Sequence, residues 1–149
     1  MNTTISAATG GFACFIVTYF KNQGTDEVYS LPALCNGILA GLVGITASCD
    51  VVHSWAAFLI GLIACFIYLG YSKLLNYLEI DDPLDACPIH MGTGSWGVVA
   101  TGWFDPKKGI LFGHSGRLFG VNLLGVVVIF AWTFAWTIIA LWVLNLVDL

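Results

Sequence analysis

His90 is the residue of this sequence whose chemistry most needs a setting. It lies in the run Ala86-Cys87-Pro88-Ile89-His90-Met91-Gly92-Thr93-Gly94-Ser95-Trp96-Gly97, between the acidic group Asp81, Asp82, Asp85 and the next charge at Asp105. An ionisable side chain in an uncharged segment is costly unless it faces a packed interior or a water-filled cavity. Neutral imidazole donates a hydrogen bond through one nitrogen and accepts through the other near physiological pH. That suits two roles: bonding to a neighbouring helix, or lining a pore where a small polar molecule passes and its proton must be handled.

Other chemistries need companions at the same depth. A metal or haem site would need further His, Cys or carboxylate ligands. His53 and His114 lie by a helix end and in a loop, and Cys87, three residues before His90, adds only a second ligand. Proteolysis by paired aspartates would need carboxylates from two helices, whereas Asp82 and Asp85 share one helix entrance. No enzyme, metal site or cofactor is expected.

The elements that carry His90 follow from the charges. The chain is 149 residues long, 58% hydrophobic and 9% charged, against about 25% charged in soluble domains. The charged positions leave uncharged stretches at 1–20, 28–49, 51–72, 86–104 and 118–147. Each is close to or above the roughly 18–20 residues that an α-helix needs to cross a bilayer. The pattern predicts an all-α, multi-pass membrane bundle in one membrane domain, 1–149, with about five helices near 3–20, 32–48, 52–73, 84–104 and 118–146. A soluble protein would show polar helix faces, and Leu118 to Val147 has none. The net charge of −4 lies in connecting loops, and no basic patch suggests nucleic acid. A secretory signal is not expected at Met1 to Phe20, which has no basic residue ahead of its apolar run.

Particular residues indicate which helices pack and which meet lipid. Gly37 and Gly41 form a GxxxG pair, and Ala40 and Gly44 repeat that spacing. With Asn36 and Thr46 they predict a second helix buried in the bundle. Segment 51–72 is bulkier and is expected to be more lipid-exposed, with Trp55, Tyr68 and Tyr71 as interface anchors. Asp81-Asp82-Pro83 reads as a helix start, placing acids at the positive helix end and proline in the first turn. The cysteines Cys14, Cys35, Cys49, Cys65 and Cys87 contain no CxxC pair and read as small packing residues. The loop 105–117 carries three basic residues against Lys21 and Lys73 on the other side, which leaves orientation undecided.

Several of these runs together resemble a known family. Cys35-Asn36-Gly37-Ile38-Leu39-Ala40-Gly41-Leu42-Val43-Gly44-Ile45-Thr46-Ala47-Ser48-Cys49, then Trp55-Ala56-Ala57, then Asp81-Asp82-Pro83-Leu84-Asp85-Ala86 with His90 and Gly94-Ser95-Trp96-Gly97, closely resemble the ammonium transporter (Amt/methylammonium permease) family. The likeness extends to Asn2-Thr3-Thr4 and to Gly120 through Gly125. It implies an eleven-helix subunit of a homotrimer in the plasma membrane, with a narrow apolar pore for ammonium or ammonia and a cytoplasmic carboxyl terminus. This chain would supply the seventh to eleventh helices, while the first six, with a second pore histidine and most of an outer recruitment site, would lie outside it.

On the same resemblance His90 matches the pore histidine of the second half and Ala86 a pore-lining position. Asp82 and Asp85 match acids at the start of that helix, and Thr46 a position near the end of the eighth helix. Two alternatives stand beside a transporter: a non-transporting chain that interacts with full-length subunits, and a Rh-type gas channel, which fits Asp81 to His90 less well.

Overall fold

The computed structural model describes residues 1–24 and 28–147. Five α-helices account for most of them: α1 (Asn2–Lys21), α2 (Leu31–Ile45), α3 (Ser54–Tyr77), α4 (Thr93–Phe104) and α5 (Arg117–Leu146). A π-helical turn, Pro88–Gly92, leads into α4, and a 3-10 turn, Ile110–Phe112, precedes α5. No strand occurs among the described residues. By length and composition α1, α3 and α5 can each cross a bilayer. The fifteen residues of α2 are apolar but shorter. Non-helical backbone at membrane depth is tolerated where protein buries it, and the turn after α2 contains the buried Ser48 and Val52.

The helix ends have local causes. Ser30 caps α2, its hydroxyl accepting from the Ala33 amide at 3.3 Å, and Pro32 sits in the first turn. The sequence suggested a second helix reaching residue 48, but α2 ends at Ile45. There the amide and hydroxyl of Thr46 both donate to the Val43 carbonyl, at 3.2 and 2.8 Å, tightening the chain out of the α-helical ladder. In the other direction α3 runs past Lys73 to Tyr77, with Lys73 exposed at its end. A long basic side chain there can extend its charge toward water.

The bundle is closed by backbone contact at small residues. Ser6 of α1 donates to the Gly41 carbonyl of α2 at 2.7 Å. A Cβ at Gly10 would stand 2.5 Å from the Gly37 carbonyl oxygen, and one at Gly41 would strike the Ser6 carbonyl. These pairings run α1 antiparallel to α2. Gly97 of α4 rests on Gly44, where a Cβ would lie 2.5 Å from the carbonyl oxygen. The doubled small ridge of α2 thus serves two neighbours, α1 and α4. Trp96 tethers α4 to α3 by donating from Nε1 to the Ile60 carbonyl at 3.1 Å.

The exposed helix is not the one expected. Helix α3 keeps a buried stripe through Ala56, Ala57, Ile60, Gly61, Ala64, Cys65 and Tyr68, whereas no residue of α5 is buried. Tyr68 is 5% exposed and is not an interface anchor; Trp55 is half exposed and packs edge-on against Phe104. Helix α5 is held to α4 by Asn122, which donates to the Val98 carbonyl at 2.8 Å, and by Phe119 lying over Gly102. Among the cysteines, Cys14 and Cys65 are buried together in one apolar cluster, whereas Cys35 is exposed.

Candidate functional site

The site is organised where the chain enters its fourth apolar segment. The acidic turn suggested a helix from about residue 84, but helical structure begins at Ala86. Asp85 adopts φ 54°, a left-handed conformation that cannot propagate a helix. Asp82 acts as the cap, its two carboxylate oxygens accepting from the amides of Ala86 at 3.0 Å and Cys87 at 2.7 Å. The positive helix end stabilises that charge as well.

Asp85 then turns its own carboxylate into the bundle. One oxygen accepts from the Ser72 hydroxyl at 2.6 Å; the other accepts from the Tyr68 hydroxyl at 2.9 Å and, at 3.5 Å, from the Asn36 side-chain amide. Asn36 also donates to the Tyr68 hydroxyl at 3.1 Å. One carboxylate thereby joins α2, α3 and the start of the His90 segment. Hydrogen bonds to a charged acceptor are worth about 1.5–3 kcal/mol each, so this half-buried group is a strong tie rather than a loose surface acid.

Beyond that tie the backbone widens. Pro88 stands in the first helical turn, where its missing amide hydrogen costs no helical bond, and after it the Thr93 amide reaches back to the Pro88 carbonyl, the long step of a π turn. The Thr93 hydroxyl bonds to the Ile89 carbonyl within the same turn. Such turns recur at functional positions. Pro88 and Ile89 are buried against the bundle, while His90 faces outward and is exposed.

His90 opens onto a cleft of about 620 Å³ between this segment and α5. Gly94, Val98, Val126, Phe130 and Phe134 line it with little polar surface. Of the other expected site residues, Ala86 is exposed one turn before His90, and Asn36 and Asp85 meet directly. Thr46 does not join them. It lies ten residues further along α2 than Asn36, about 15 Å by helical rise, with its hydroxyl held by Val43. No group of three or more His, Cys, Asp and Glu able to hold a metal ion occurs among the described residues.

Two partners of Asp85 were not expected at the site from the sequence, Tyr68 and Ser72. Their four-residue spacing places them on one face of α3, and that spacing was the available signal. The aromatic character of Tyr68 at a segment end pointed instead to the lipid interface.

Apolar spanning helices, glycine-mediated packing and backbone bonds closed within the bundle define an integral membrane protein. The model of the Ammonium Transporter Family matches residues 1–148, and the chain belongs to that family. It is 33% identical over 144 residues to ammonium transporter 1 member 4 of Arabidopsis thaliana, covering 87% of this chain and 29% of the relative. Ammonium transporter 1 member 1 of Solanum lycopersicum is 31% identical over 147 residues, covering 89% and 30%. The crystal structure of Saccharomyces cerevisiae Mep2 superposes with a TM-score of 0.87 at 32% identity, over 97% of this chain and 34% of that one. Candida albicans Mep2 gives 0.86 at 30%, over 97% and 33%. The chain therefore spans about a third of the length of the relatives it matches.

Proposed function

We propose that this chain forms part of the wall of an ammonium-conducting pore, with His90 as a lining residue. The observation that carries the reading is an exposed imidazole beside an apolar cleft in a chain of the Ammonium Transporter Family. A hydrated ammonium ion entering such a lumen loses its water at a cost of several kcal/mol. Passing as ammonia, with the proton handed separately to imidazole nitrogens, avoids that cost. In this scheme Asp82 and Asp85 do not touch the substrate; they fix where the His90 segment starts and how it is anchored.

The reading extends to the assembled molecule. The chain corresponds to the seventh to eleventh helices of an eleven-helix subunit, working as a homotrimer in the plasma membrane with its carboxyl end in the cytoplasm. Ala86 is a further position along the conduit, and Thr46 is a supporting residue near the end of the eighth helix. The test is His90→Ala in the transporter containing this segment, expressed in cells that lack their own ammonium uptake. Loss of uptake, or an altered balance of ammonium uptake to current, is expected; unaltered uptake and current would overturn the reading.

A further inference from the structure

We propose that Lys107, Lys108, His114 and Arg117 form a binding site for a phosphate group, the one carried at the membrane surface by the headgroup of an anionic phospholipid. The four side chains line one open cavity of about 390 Å³ where the chain enters α5. The lysines and Arg117 stand nine and ten residues apart in the sequence, so it is the fold of the loop that gathers them. No carboxylate lines the cavity, and among the described residues none of the four basic side chains has an ion-pair partner. Positive charge concentrated in a cleft without a protein counter-charge draws in an anion.

The loop that presents these groups is held in place. Asp105, its one acid, is 8% exposed, and one carboxylate oxygen accepts from the amides of Lys107 at 2.7 Å and Lys108 at 3.2 Å. That carboxylate fixes the backbone from which both lysines project. The Gly109 amide donates to the Asp105 carbonyl at 2.7 Å and closes the turn. Phe112 sets its ring against His53 at the head of α3, 6.0 Å between centroids, and Gly113 at φ 79° redirects the chain toward α5.

The position of the cavity favours a lipid over a soluble anion. Arg117 is the last charged residue before the apolar run 118–147, which sets the cavity at the edge of the hydrocarbon. Leu118 and Val121 supply its apolar wall, and Val121, 58% exposed, continues onto the unburied surface of α5. A free phosphate gains nothing from that wall, whereas a phospholipid places its phosphate among the basic groups and its acyl chains along the helix. Basic pockets beside membrane helices hold anionic headgroups in this way. The Arg117 guanidinium can engage two phosphate oxygens at once, and the lysines act as point charges. The helix end adds to the field, because Gly116 offers no capping side chain and no acid stands in the first turn of α5. The site requires only that α5 cross the membrane and does not depend on the pore reading.

The test uses the full transporter that contains this segment, purified in detergent and titrated with short-chain phosphatidylglycerol while native mass spectrometry counts bound lipids. One phosphatidylglycerol per subunit is expected to be weakened about fivefold for each charge removed in Lys107→Gln, Lys108→Gln and Arg117→Gln, and to be unaffected by Lys21→Gln. Lys107→Arg and Lys108→Arg keep the charge and should retain binding, which separates lost charge from lost fold. Phosphatidylcholine of the same chain length, whose headgroup is neutral overall, should bind the wild type and the triple glutamine variant alike. Inorganic phosphate titrated alone identifies the source. Weaker binding than phosphatidylglycerol supports the lipid, and equal or tighter binding that the triple variant loses assigns the phosphate site to a soluble anion. Equal phosphatidylglycerol binding by the wild type and the triple variant would overturn the proposal.

Discussion

The hydroxyl of Tyr68 donates to the carboxylate of Asp85 across 2.9 Å, joining the interior of α3 to the residue that immediately precedes the His90 helix. The bond fixes one end of the functional segment to the bundle's core. Ser72, one turn further along α3, holds the second carboxylate oxygen, so the carboxylate cannot rotate without breaking at least one contact.

Removing parts of this tie should give an ordered series. Tyr68→Phe loses a donor to the carboxylate and an acceptor for Asn36, for a loss of about 1–3 kcal/mol. Asp85→Ala should cost more, because it strands the donors of Asn36, Tyr68 and Ser72 and puts alanine at a left-handed φ. Asp85→Asn keeps an acceptor and tolerates that φ, so it should fall between wild type and D85A. Thermal unfolding in detergent, followed by tryptophan fluorescence, measures the order; equal stabilities for D85N and D85A would contradict this account.

Helix-start chemistry can be tested separately at Asp82. Its carboxylate satisfies two otherwise free amides, and Asp82→Ala should lower stability by about 0.5–2 kcal/mol. Asp82→Asn retains a capping oxygen and should recover most of the loss. The same unfolding measurement applies, with D82N as stable as wild type and D82A clearly weaker as the expected result.

Two glycine-to-alanine substitutions should have opposite outcomes. At Gly41 a methyl group meets the Ser6 backbone and must separate α1 from α2, which should cost about 1–3 kcal/mol. At Gly120 nothing lies within 4 Å, and alanine should stabilise helix α5 by up to about 1 kcal/mol. Equal effects in an unfolding assay would show that the close approach at Gly41 does not matter to stability.

Helix α5 depends on few contacts, so Asn122→Leu should loosen it. Polar contacts between membrane helices are worth about 0.6 kcal/mol on average and up to about 1.7. A spin label on the cleft side of α5, at Val126, should gain mobility in N122L relative to wild type. Unchanged spectra would mean that Phe119 over Gly102 suffices to seat the helix.

The helical, membrane-embedded class of the chain follows from its spacing of charges, because a charge inside hydrocarbon is so unfavourable that its position marks a boundary. Gly37 and Gly41 likewise declare a packing face, since lipid offers no reason to omit a side chain there. Tyr68 was harder to place. An aromatic alcohol near a segment end suits either an interface or a buried bond, and only the approach of Asp85 from 17 residues away distinguishes them. The π turn at Pro88–Gly92 was similarly hidden, as the sequence offered Pro83 for the first turn and residue spacing alone does not separate a π turn from an α-helical one.

The π turn at Pro88–Gly92 holds one surplus residue compared with an α-helical turn. One residue of phase is about 100° around a helix axis, so the chain before the turn and the chain after it answer to different angular frames. Asp85 can remain locked to the bundle on one bearing while Gly97 meets Gly44 on another. Shortening this insert by a single residue would force the two frames into step, and one of those two contacts would be given up.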